Sequence, residues 1–178
     1  MPIEIQGIKS IQKKLKTLDD ALTPSKMRST LLTVGNMVKN SISESFENER
    51  SPFGEKWAPL KVISYHLGYS IGKGKNTHTK RGVQTKAFQK YAANKRILIE
   101  STHLWSNWVV MTDENGVEVS NNTARTSKGY IYGLAHQYGT KNIQARPFLP
   151  IDVNGNLEPK LLKTMDSYLG NKIGELLK

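Results

Sequence analysis

The chain has 178 residues, a formal net charge of +11 and no cysteine. Without cysteine there is neither a disulfide framework nor a thiolate metal site. An apolar content of 37%, no apolar leader at the N-terminus and no run near the ~18 apolar residues of a membrane span suggest one domain with a modest core, made and kept in a cytosol.

In chain order, IEIQG (residues 3–7) alternates and suggests a short strand. Ile8, Ile11, Leu15, Leu18 and Leu22 follow at steps of 3, 4, 3 and 4, which is one face of an amphipathic helix. Thr23-Pro24-Ser25 ends that helix and can cap the next. Met27, Leu31, Val34, Val38, Ile42 and Phe46 then predict a longer helix to about Asn48. Pro52, Gly54 and Pro59 make residues 51–60 an irregular loop, which nevertheless carries Phe53 and Trp57.

The stretch from Leu67 to Gly82 is rich in glycine and lysine and reads as a mobile loop. Residues 83–96 suit a short helix, and ILIEST (97–102) suits a strand or a helix start. Two strands are predicted around Asn115-Gly116, the strongest hairpin signal in the chain. GYIYGLAHQYG reads as a short helix ending at Gly139, a natural position for a left-handed cap. Leu161, Leu162, Met165, Leu169, Ile173 and Leu176 predict a terminal amphipathic helix, weakened by Gly170 and Gly174. The expected fold class is α+β: N-terminal amphipathic helices on a small antiparallel sheet, a long basic loop and a C-terminal helix. Residues 1–152 form the main domain, with the mobile basic loop at about 67–96, and residues 153–178 form a helical extension.

The charge is concentrated. Ten basic residues lie between Lys56 and Ile99 with no acidic one among them, namely Lys56, Lys61, Lys73, Lys75, Lys80, Arg81, Lys86, Lys90, Lys95 and Arg96. The remaining sixteen basic and fifteen acidic residues balance to +1. Such a field attracts a phosphate backbone or an acidic protein surface, although lysine-rich stretches are as often merely solvated.

Catalytic patterns are weak. His66, His78, His103 and His136 share no metal-ligand spacing. There is no nucleophile elbow, and GYSIGKGK departs from the phosphate-loop pattern because Asn76 follows Gly74-Lys75. Glu100 and Asp152 are carboxylates that nothing singles out. The residues point to no enzyme, no cofactor and no metal. Three aromatic-bearing segments remain: FGEKWAPL, LWSNW and AHQYGT…ARPFLPID. Trp57 reads best as a plug buried beneath its loop against the long helix, near Phe46. Arg146, held extended before Pro147, suits a carboxylate or neighbouring backbone carbonyls.

The order of these segments resembles the phage virion morphogenesis family, the tail-completion proteins of Mu-like and related tailed phages. The resemblance rests on Phe46 with Ser51-Pro52-Phe53-Gly54-Glu55-Lys56-Trp57-Ala58-Pro59-Leu60, on Ile97 to Ser106, on Tyr132-Gly133-Leu134-Ala135-His136-Gln137-Tyr138-Gly139, and on Ile143-Gln144-Ala145-Arg146-Pro147-Phe148-Leu149. It spans roughly residues 8 to 152. Ser101-Thr102 departs from the family's Ser-Gly, and the basic loop is longer than usual.

The resemblance implies a structural protein of the virion neck or tail end, present in the host cytoplasm during assembly. It would act in tail completion and head–tail joining as a homo-oligomeric ring. Its partners would be other neck, tail or connector proteins, with no membrane. The structural motif comprises Phe53, Gly54, Trp57, Leu104, His136, Gln137, Gly139, Pro147 and Phe148. Partner contacts fall to Lys73, Lys75, Lys80, Arg81, Lys86, Lys90 and Arg146. The alternative is a DNA-binding assembly or packaging factor that grips DNA through the basic 56–96 segment.

Overall fold

A computed structural model of the chain describes residues 8–60, 79, 81, 83–99, 102–113 and 116–176. The strand expected at 3–7 lies outside these residues, as does the glycine- and lysine-rich stretch 67–82 except for Thr79 and Arg81. The architecture is α+β. Helices α1 (Ile8–Ala21) and α2 (Pro24–Asn48) come first, then α3 (Lys86–Asn94) and α4 (Thr102–Ser106). A hairpin of β1 (Val109–Thr112) and β2 (Val117–Ser120) follows, then α5 (Tyr132–Tyr138) and α6 (Pro159–Leu176). The strands pair antiparallel, with Val109 opposite Ser120 and Thr112 opposite Val117.

The long helix α2 is the organiser. Thr23 caps it with an extended backbone and Pro24 supplies a pre-set first turn. One face packs on both strands, and α4 and α6 also lie against it. Gly35 makes the close approach to the sheet workable. A Cβ there would collide with the side chains of Val110 and Val117, so the space outweighs glycine's poor helix propensity. About two and three turns further on, Ile42 and Phe46 are fully buried.

The end of α2 is tied by residues far away in sequence. Glu49 adopts a left-handed conformation, and its backbone N–H reaches the Ser45 carbonyl. The Arg96 guanidinium donates to the Phe46 carbonyl at 2.6 Å and the Glu47 carbonyl at 2.9 Å. These are carbonyls that a helix end leaves without partners, and a cation there also suits the helix dipole. The Glu49 carboxylate in turn accepts from the Ile97 N–H at 2.7 Å.

The short helix expected within 83–96 is Lys86–Asn94, with its Thr85 side chain accepting from the Phe88 N–H and with Phe88 buried, so this part of the segment drawn as a mobile basic loop over 67–96 is helical instead. Residues 97–99 form a turn rather than a strand, with Leu98 at φ +60, and helix α4 begins at Thr102. Ile97 is needed in the core beside α2, and a turn delivers it there.

The last helix starts from its own cap. Both Glu158 carboxylate oxygens accept backbone N–H groups, from Lys160 at 2.9 Å and Leu161 at 2.7 Å. Helix α6 buries Met165 and lies against α1 and α2.

Candidate docking site

The quoted segments, distant in sequence, converge on one aromatic knot. Phe46 stands edge-on to Trp57, with ring centroids 5.4 Å apart, and packs against Phe148 at 5.3 Å. Trp108 covers the other side of Phe148 at 6.0 Å. Trp57 is 4% exposed and Phe148 2%. Edge and tilted contacts of this kind add to the hydrophobic term.

Hydrogen bonds fix how the segments meet. The Trp57 indole N–H donates to the Pro147 carbonyl at 2.8 Å. Arg146 Nε donates to the Ala58 carbonyl at 3.0 Å, and its Nη2 donates to that of Pro59 at 3.2 Å. The loop at 51–60 and the extended segment at 145–149 therefore clasp each other from both sides. The Gln137 side-chain carbonyl then accepts from the Phe148 and Leu149 N–H groups, both at 2.9 Å, while the Arg146 N–H donates to the His136 carbonyl at 2.7 Å. Helix α5 supplies a side-chain substitute for a neighbouring strand.

Local chemistry prepares these positions. Gly54, at φ +93, turns the first loop, which closes through Ser51 N–H to the Glu55 carbonyl at 2.7 Å. Gly139 ends α5 at φ +77, and a Cβ on it would sit 3.1 Å from both the Ala145 N and the Ile143 carbonyl oxygen. The Thr140 hydroxyl then accepts the Asn142 and Ile143 N–H groups and sends the chain back toward Ala145. Leu104 is buried on α4, its Cδ1 3.3 Å from where a Gly133 Cβ would lie.

His136 is half-buried beside this clasp. Its Nδ1 is buried with no hydrogen-bond partner among the described residues. Burial, reinforced by the Arg146 charge, lowers its pKa and keeps the ring neutral. The same burial lowers the Arg146 pKa.

The structural-motif residues Trp57, Leu104, His136, Gln137, Gly139, Pro147 and Phe148 thus belong to or border one unit, whose first loop Gly54 turns. Phe53 is the exception, standing 42% exposed at the tip of its loop. Arg146, expected among the partner contacts, is a correction. It is buried, and its guanidinium bonds two internal carbonyls, so its role is to hold the clasp. Lys73, Lys75 and Lys80 lie outside the described residues; Arg81, Lys86 and Lys90 are exposed. His66, His78 and Glu100 also lie outside them, and His103 is exposed. Among the described residues no group of three or more His, Cys, Asp or Glu is arranged to hold a metal ion, and no helix is long and apolar enough to cross a membrane. Asp152 accepts the Asn154 and Asn156 N–H groups, both at 2.8 Å, and the Asn156 side-chain amide at 3.0 Å, which lowers its pKa and shapes the turn before α6.

Sequence reasoning passed over Arg96 and Glu49, which stitch α2 to residue 97, and Gly35 under the sheet. Of these only Gly35 left a signal, as a glycine inside an otherwise strong helical pattern. No protein-family model, curated protein or solved structure matches the chain.

Proposed function

We propose that the protein is a non-enzymatic structural component of a phage virion, acting in tail completion and head–tail joining as a ring-forming oligomer. The observation that supports this reading is the convergence of the motif segments on one buried clasp. Residues shared with the tail-completion pattern hold Phe46, Trp57 and Phe148 together. Their work is to build a rigid body, which leaves recognition to outer surfaces, as suits a ring subunit that presents one face to each neighbour. Immunogold electron microscopy of purified virions tests it. Label at the neck or tail end is expected. Absence from mature particles would make the protein an assembly factor that leaves before completion.

A second reading, DNA binding through the basic segment, is favoured by Lys86 and Lys90, which stand exposed one turn apart on α3. DNA affinity should then fall with salt at a log–log slope of about −0.9 per phosphate neutralised. Changing Lys73, Lys75, Lys80 and Arg81 to serine should leave folding intact and weaken either incorporation into particles or DNA binding, whichever the segment serves.

A further inference from the structure

We infer that α1 is a homotypic docking helix, pairing in parallel with α1 of a second copy of this chain. Ile11 and Leu15 are each 60% exposed and Leu22 is 43% exposed, with Leu18 half-buried between them, although together they form the regular apolar face of the helix. That helix is already formed and runs on through a hydrogen bond from the Leu22 N–H to the Leu18 carbonyl at 2.9 Å. Among the described elements, the one in substantial contact with α1 is α6. The inference stands on this helix alone and does not depend on where the protein works.

The spacing and the charges identify the occupant. Leu15 and Leu22 fall at heptad position a, and Ile11 and Leu18 at position d, the narrow seam of a coiled coil rather than the broader stripe of a core-facing helix. In that register Lys14 takes position g and Asp19 position e of the next heptad. A parallel pair sets each g residue beside the following e residue of its partner, so Lys14 meets the partner's Asp19 on both sides of the seam. Both residues are exposed. An antiparallel pair would set the two Lys14 side chains near each other in one of its two a-to-d registers and leave Lys14 without an opposite charge in the other. Two heptads are short for a free coiled coil, but here the folded body holds the helix ready-made, so the cost of nucleating it does not fall on association.

The chain has no cysteine, which makes single-cysteine variants clean reporters. The experiment uses the full chain. Under oxidation, Leu15→Cys and Leu22→Cys should each give disulfide-linked dimers, because a positions face each other across a parallel seam within the ~4.4–6.8 Å Cα separation a disulfide needs. Lys13→Cys, on the outer face, should stay monomeric. In sedimentation, Leu15→Asp and Lys14→Asp should each raise the dimer dissociation constant at least about tenfold, and adding Asp19→Lys to Lys14→Asp should restore it. Circular dichroism should show all variants folded, since the changed side chains are exposed. Cross-linking only in mixtures of Ile11→Cys with Leu22→Cys would show an antiparallel pair and overturn the proposal. So would a wild-type protein that stays monomeric at high concentration, or one whose α1 instead binds vesicles containing anionic lipid without dimerising.

Discussion

Helix α1 and the 51–60 loop carry apolar side chains to opposite ends. The helix has the most regular apolar pattern in the chain, yet Ile11 and Leu15 each remain 60% exposed. The loop has no periodicity, yet its Trp57 is 4% exposed and stands at the centre of the fold. Periodicity states which side chains share a face. It does not state what covers that face. Burial of the loop is decided by a few directional bonds, the indole to Pro147 and the guanidinium to Ala58 and Pro59, which nothing in a hydropathy pattern encodes.

The largest expected effect is at the clasp. Trp57→Ala removes the edge contact with Phe46 and leaves the Pro147 carbonyl without its donor. Truncations of this kind cost about 3–5 kcal/mol, against a total stability of roughly 5–15 kcal/mol. The variant should lose its near-ultraviolet circular dichroism and become insoluble or molten. An unchanged melting temperature would mean that the aromatic knot does not hold the body together.

Arg146→Lys should come next. Lysine keeps the charge and loses the planar fork that reaches two carbonyls at once. Replacing bonds from a charged donor should cost about 1.5–3 kcal/mol, read as a lower urea midpoint at unchanged slope. If lysine proved neutral, charge alone would be what position 146 supplies, and the contrast between clasp and helix would lose its directional component.

The legible parts of the fold are those with local causes. The 3-and-4 spacing from Ile8 to Phe46 marks two helices, with the break at Thr23-Pro24-Ser25, and the Asn115-Gly116 pair in the sequence marks the hairpin. Trp57 stood out as a plug and Gly139 as a helix end for equally local reasons. The rest depends on distant partners. Ile97-Leu98-Ile99 carries strand propensity, but the 2.7 Å bond from Ile97 to Glu49 holds it in a turn. Arg96 looked like one more member of a basic run, and its partners lie at Phe46 and Glu47. Arg146 offered two readings, and only the position of the loop chose between them.

A smaller effect separates the two regions by pH. His136 has a lowered folded pKa, from burial first and the Arg146 charge second. The unfolded ring takes up its proton near pH 6.5, where the folded ring resists it. Stability should therefore fall as pH drops below about 6.5 and level off, for this group, once the folded pKa is passed. His136→Gln should flatten that part of the urea-midpoint profile. The Asp152 pKa is lowered instead, so its contribution is present above the ordinary carboxylate range and lost only as pH falls below about 4. The two windows are distinct, and a profile that survived His136→Gln unchanged would place the acid sensitivity outside the clasp.

The smallest effect belongs to α1. Leu15→Ala in dilute monomer should change stability by no more than about 0.5 kcal/mol, the usual range for surface substitutions. Leucine at this position loses little on truncation because it is already 60% exposed. Alanine is also the better helix former, so the small loss of contact and the small gain in propensity oppose each other. Dilution matters, because any partner bound to the folded form would add its own stabilisation. A loss near that of Arg146→Lys would mean that the seam is covered within the monomer, with α6 the neighbour best placed to do so. A null result in dilute protein, together with a loss that grows with protein concentration, would assign the seam to contacts between copies.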